Sequence, residues 1–201
     1  MKGKYAVRVQ NSFVRFDFEI ERNISIIRGN SGTGKTTLVD MVADYQNEGA
    51  ASGVLLDCKV RCVAMIGQNN TWKDFLKNNR SCIIFIDEGE KYIRSKDFAE
   101  AIQATDNYYV IATRDNLFEI PYSVDAIYEL KTSGKYGRTK LVYNRFKQIY
   151  AAKLPKDVKL KNNGMVITED SQSGFQFFKY VCDKYKVDCI SALGSVFSPS
   201  C

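Results

Sequence analysis

Gly29-Asn30-Ser31-Gly32-Thr33-Gly34-Lys35-Thr36 is a run of small and polar residues closed by one lysine and one hydroxyl, in the pattern G-x-x-x-x-G-K-[ST]. Glycines let a backbone curl until successive N–H groups point at one anion, and a helix starting there adds its partial positive charge. In such a loop the lysine reaches β- and γ-phosphates and the hydroxyl holds Mg²⁺. Here those residues are Lys35 and Thr36, with Thr37 next to them. A second reactive set, Asp87-Glu88, follows the unbroken apolar run Cys82-Ile83-Ile84-Phe85-Ile86. Asp87 is placed to join Thr36 in holding a magnesium ion and its water, and Glu88 to take a proton from an attacking water. A third set is Thr113-Arg114, at the end of Tyr108-Tyr109-Val110-Ile111-Ala112. Thr113 would bond the γ-phosphate or the water, and Arg114 would neutralise developing charge. The alternative for Arg114 is a solvated loop residue paired with Asp115 or Glu119.

Such groups need a frame. Before the glycines, Asn23-Ile24-Ser25-Ile26-Ile27-Arg28 reads as a short strand. After them, Leu38, Met41, Val42 and Tyr45 fall at helical spacing. Strand, glycine loop and helix is the context in which this motif becomes a phosphate site. Tyr5–Val9 and Val14–Ile20 alternate with period two around an Asn11-Ser12 turn, which predicts a hairpin. Short strands are expected at 53–57 and 60–66, and helices at 72–77 and 98–104. The runs 82–86 and 108–113 suit parallel strands buried on both faces. The expected fold is α/β: a three-layer sandwich with a mostly parallel central sheet, an N-terminal hairpin and a small C-terminal β-α-β unit. In an open parallel sheet, ligands sit at the carboxyl ends of the strands, and all three reactive sets fall at such ends.

Composition bounds the chemistry. At 201 residues and 45% hydrophobic, the chain can bury an ordinary core. There is no histidine, which removes serine–histidine and cysteine–histidine nucleophiles and leaves Cys58 and Cys62 without partners for a zinc site. The six cysteines (58, 62, 82, 182, 189, 201) read as reduced thiols. No long uncharged apolar run and no signal-peptide pattern appear, so a cytoplasmic location and no membrane contact are expected. Residues 1–131 carry 17 Lys and Arg against 18 Asp and Glu, while residues 132–201 carry 12 against 5. The expected division is therefore a core at 1–131, a basic connecting segment at 132–161 and the β-α-β unit at 162–201. Ten lysines and arginines fall in 131–161, interleaved with Tyr136, Tyr143, Phe146 and Tyr150. That composition fits DNA or RNA binding; the alternative is an amphipathic surface whose aromatics face the core.

Taken together, Gly29–Thr36, Ile83–Glu88 and the strand ending Thr113-Arg114 resemble the ATPases with an additional strand and a catalytic glutamate, a superfamily spanning AAA-type, ABC-type and RecA-type proteins. The resemblance covers about residues 5 to 131 and implies ATP as ligand and Mg²⁺ as cofactor. No Leu-Ser-Gly-Gly-Gln run follows and no histidine is available, which separates the chain from a working ABC-type dimer. Members often complete their site with a neighbour's arginine, which implies a homo-oligomer or protein partner, with Arg94, Arg114 or Arg138 in that role. Gly164–Asp170, a strand ending in two acids, resembles the start of a Toprim domain as in overcoming-lysogenization-defect family nucleases, with Glu169 as its metal-site glutamate. A single carboxylate does not assemble a two-metal site, so no nuclease activity is expected. Three functions remain open: an ATPase acting on a nucleic acid or protein partner, a nucleotide-gated binding module that does not hydrolyse, and a small-molecule kinase.

Overall fold

Val7, Val9, Phe16, Phe18 and Ile20 are buried, and their period-two spacing builds the hairpin of β1 (Tyr5–Gln10) and β2 (Val14–Ile20). Asn11 closes its turn by accepting the N–H groups of Phe13 and Val14, each at 2.9 Å. A computed structural model describes residues 3–30, 32–135, 142–150, 165–168, 178–183 and 187–191. Ser31, Tyr136, Arg138, Glu169-Asp170 and Cys201, all named above, lie outside the described residues. The chain divides into two units, Met1–Ala152 and Lys153–Cys201.

The first unit is built on β3 (Ile24–Arg28), α1 (Lys35–Glu48), β4 (Leu55–Cys58), β5 (Cys62–Ala64), α2 (Trp72–Asn78), β6 (Ile83–Ile86), α3 (Lys96–Gln103), β7 (Tyr108–Ala112), β8 (Ile127–Lys135) and β9 (Val142–Gln148). Its sheet runs β4-β1-β2-β9-β8-β3-β7-β6-β5. The segment β8-β3-β7-β6-β5 is parallel throughout, while β4-β1, β1-β2 and β8-β9 pair antiparallel. β7 is inserted between β3, which feeds the glycine loop, and β6, which ends at Asp87, in keeping with an additional-strand ATPase. Every side chain of β6 and β7 is buried, because helices cover both faces there. Ile83, Phe85, Tyr108 and Val110 pack with α1, and Ile84, Ile86, Tyr109 and Ile111 pack with α2 and α3.

The two edge strands are consecutive in the chain. Only Lys59-Val60-Arg61 joins β4 to β5, although they lie at opposite ends of the sheet order. Nine flat strands would span about 38 Å at their usual spacing, whereas the four steps from Cys58 to Cys62 reach at most about 14 Å. The sheet is therefore strongly curled, and its edges approach at this seam. Residues of α1 pack with residues from β1, β2, β5, β6 and β7 at once, which places α1 in the hollow. Two ring contacts cross it: Tyr5 against Tyr108 at 5.1 Å and Phe18 against Phe85 at 6.4 Å.

Residues 132–135 and 142–148, which fall in the expected connecting segment at 132–161, continue this sheet through β8 and β9. Lysines and arginines on the open face mask the inward positions. Leu130 and Asn144 are buried, and Phe146 stacks on Phe18 with ring centroids 3.8 Å apart. α3 begins two residues before the periodicity indicates, because Ser95 caps it by accepting the N–H of Phe98 at 3.2 Å. Phe98 is fully buried against Trp72 and Tyr92, with centroids at 5.3 and 5.0 Å. Phe98→Ala should cost about 3–5 kcal/mol of stability, measured as a lowered urea midpoint.

The second unit contains β10 (Met165–Thr168) and β11 (Asp188–Ser191) paired in parallel, with helical residues 178–183 between them. A parallel pair needs a crossover, and the helix supplies it. Among the described residues, no helix is long and apolar enough to cross a membrane.

Candidate functional site

Register decides where the reactive groups meet. Ile27 pairs with Ala112 and Ile86 with Ile111, so the carboxyl ends of β3, β7 and β6 finish within a residue of one another. The Thr113 N–H donates to the Ile27 carbonyl at 3.0 Å, which fastens the exit of β7 to the strand that feeds the loop. With one strand between them, β3 and β6 stand about 9.5 Å apart. That is room for a phosphate chain and a cation between the loop and Asp87.

The loop itself is poised for an anion. Gly34 takes φ +91° as the N-cap of α1, and a Cβ there would lie 3.6 Å from the Phe16 ring. A Cβ on Gly29 would meet the Thr33 hydroxyl at 3.3 Å. α1 starts with no side-chain cap and no acid in its first turn, so its leading N–H groups stay open at the positive end of the helix. Lys35 is buried, and its ammonium donates to the Gly29 and Asn30 carbonyls at 2.7 and 3.0 Å. The Thr33 hydroxyl also donates to Asn30, at 3.1 Å. Asn30, Gly32, Thr36 and Thr37 line the same turn, and Thr36 and Thr37 are exposed at the start of α1. Gly34→Ala forces an L-residue into the left-handed region at about 1–2 kcal/mol. It should weaken nucleotide binding more than it lowers the melting temperature, as titration and thermal unfolding would show together.

Across from the loop, Asp87 Oδ1 and Glu88 Oε2 are buried atoms without a hydrogen-bond partner, as is Glu90 Oε2 two residues further on. Glu88 Oε1 is held by Arg114 at 2.8 Å. Arg114 thus pairs with the expected base rather than with Asp115, whose carboxylate is taken by Arg94 at 2.6 Å. Thr113 is fully buried, and its hydroxyl closes a turn with Asp115, accepting that N–H at 3.1 Å and donating to that carbonyl at 3.3 Å.

Sequence reasoning missed two acids. Asp40 lies one helical turn beyond Thr36, and burial, then the charges of Asp87 and Asp44, raise its pKa above the ordinary value. Its spacing of four from Thr36 was the available signal. Glu90 is nine-tenths buried and accepts the Gly67 N–H at 2.5 Å, while the Lys91 N–H reaches Asn69 at 3.3 Å and the Tyr92 hydroxyl donates to Met65 at 3.2 Å. These bonds fasten the Asp87-Glu88 loop onto the segment after β5. The sequence held no signal for that beyond a third acid close behind the pair.

In the basic stretch, Lys131 and Lys147 both pair with Glu129, at 3.1 and 3.7 Å, and Arg15 lies over the Tyr143 ring at 5.4 Å. With Phe146 against Phe18 as well, two of the aromatics proposed for base stacking are engaged within the fold. Tyr150 is exposed.

Residues 25–113, a little under half of the chain, match the family model described as ATPase family associated with various cellular activities (AAA). The matched span holds the loop, Asp87-Glu88 and Thr113, and it supports a P-loop NTPase of the AAA class that binds ATP. No curated protein matches the chain. The match stops short of residues 162–201, and the resemblance of that unit to a Toprim domain is without support.

Proposed function

We propose that the chain hydrolyses ATP in a Mg²⁺-dependent reaction, with the phosphates held at Gly29–Thr37. The observation that carries this reading is the pairing of an uncapped helix start and buried lysine on one side with two orphaned carboxylate oxygens on the other. A buried acceptor without a donor is costly, and a hydrated cation is what Asp87 Oδ1 lacks. The carboxylates therefore fit Mg²⁺, which Asp87 and the Thr36 hydroxyl would hold. When bound, the ion neutralises charge on the phosphate oxygens.

The chain's own groups account for the rest. N–H groups at the start of α1 and the Lys35 ammonium grip the β- and γ-phosphates, the ammonium exchanging the Gly29 and Asn30 carbonyls for phosphate oxygens. Arg114 anchors Glu88 by Oε1, which leaves Oε2 to accept the proton of the attacking water. Thr113 keeps the turn after β7 fixed, so that Arg114 projects toward Glu88.

One observation favours a second reading, a nucleotide-gated module that does not hydrolyse: the ion pair with Arg114 ties up the expected base in this structure. Calorimetric titration with ATP, with and without Mg²⁺, tests the shared part of both readings. We expect ATP to bind tighter than AMP, and tighter still with Mg²⁺. Equal affinity for ATP and AMP would end both readings.

A further inference from the structure

We propose that Glu90 is a positioning residue for hydrolysis: by holding the Gly67 N–H it fixes the turn that carries Glu88, so phosphate release depends on it and ATP binding does not. The proposal rests on the hydrolytic reading above. The turn leaves β6 directly. The Glu90 N–H donates to the Asp87 carbonyl at 3.3 Å, which makes Asp87-Glu88-Gly89-Glu90 a β-turn with Glu88 and Gly89 at its centre. One end is fixed by β6, whose four side chains are all buried. The other end is Glu90, which is 6% exposed and accepts the Gly67 N–H through Oε1 at 2.5 Å. Gly89 between them is exposed, and a Cβ there would meet nothing within 4 Å, so packing does not restrain the middle of the turn. The Arg114 ion pair holds the Glu88 carboxylate, and the Glu90 bond holds the backbone beneath it.

A plain structural anchor would not need this acceptor. The Met65 N–H already donates to the Phe85 carbonyl at 2.8 Å, and the Tyr92 hydroxyl to the Met65 carbonyl at 3.2 Å, so the two segments are joined without Glu90. Gly67 lies beyond those bonds, exposed, at φ +68°, where a left-handed backbone favours glycine. A carboxylate buried for one N–H, with Oε2 lacking a partner, costs more stability than a neutral side chain would. What it adds is a charge-assisted bond, about twice as strong as a neutral one, two residues from the expected base.

Position is what proton transfer demands. Glu88 Oε2 must come within hydrogen-bond reach of the attacking water, and a misplacement of about 1 Å can lower a rate about 10²-fold. The grip on the phosphates, at Lys35 and the start of α1, lies across the crevice and does not involve the bond between Glu90 and Gly67.

Two variants and one amide carry the test. Glu90→Ala should release phosphate about 10- to 100-fold more slowly, with a Kd for ATP within about twofold of wild type. Glu90→Gln keeps an oxygen for the Gly67 N–H and should recover to within about threefold of the wild-type rate. In the wild-type protein without nucleotide, hydrogen exchange at the Gly67 amide, read by NMR, should be at least about tenfold slower than at an open glycine. That protection should disappear in Glu90→Ala and persist in Glu90→Gln. A general loosening of the fold would instead speed exchange across the core strands and weaken ATP binding in step with the rate. An unprotected Gly67 amide in wild type, a wild-type rate in Glu90→Ala, or a Glu90→Gln as slow as Glu90→Ala would overturn the proposal and leave the hydrolytic reading standing. A wild type that releases phosphate no faster than Glu88→Gln would end both.

Discussion

Glu88→Gln should bind ATP with a Kd within about twofold of wild type and release phosphate about 10²- to 10⁴-fold more slowly, the usual contribution of a positioned general base. The reason lies in how the carboxylate is divided. Oε1 is held by Arg114 at 2.8 Å, and Oε2 is buried with no partner. An amide keeps the shape and still accepts from Arg114 through its oxygen, so the loop after β6 stays in place. What it loses is an acceptor for the proton of water. Binding rests on the other side of the site, on Lys35 and the start of α1, which the substitution leaves untouched. Rapid-quench measurement of phosphate release, beside a calorimetric Kd, separates the two effects. A loss of affinity as large as the loss of rate would assign Glu88 to phosphate binding instead of proton transfer.

Lys35→Ala should have the largest effect on affinity. Its ammonium is buried and holds the Gly29 and Asn30 carbonyls. Bonds to a charged donor contribute about 1.5–3 kcal/mol each. Removing the side chain should therefore cost about 2–4 kcal/mol of binding, or roughly 30- to 700-fold in Kd. The carbonyls released face the helix start and remain partly open to water, so the fold should survive, with a small change in melting temperature. Unchanged affinity for ATP in this variant would place the nucleotide elsewhere.

Much of this frame was legible before any coordinates. The glycine loop, the helix after it and the apolar runs at 82–86 and 108–113 appear where the sequence puts them, because runs that short and that rich in β-branched and aromatic residues suit strands buried on both faces. β8 and β9 were hidden for the opposite reason. Lys131, Arg145 and Lys147 dominate their composition, while Leu130, Asn144 and Phe146 decide their packing. The curl of the sheet was also illegible, since it follows from which strands occupy the edges and not from the three residues that join them. At the site, residue types named the chemistry but not the pairing. Arg114 near Asp115 in sequence reads as a local ion pair, yet the strand order brings it to Glu88 and leaves Asp115 to Arg94. Asp40 reads as a solvated helix acid, and its burial and its proximity to Asp87 were not visible in the sequence.

The most direct measurement of the central claim is the release of inorganic phosphate from ATP by the purified wild-type chain in Mg²⁺, beside Glu88→Gln at equal concentration. We predict release proportional to wild-type protein, abolished by EDTA and at least about 100-fold slower in Glu88→Gln. If wild type binds ATP but releases phosphate no faster than Glu88→Gln, the chain is a nucleotide-binding module and the hydrolytic assignment is wrong.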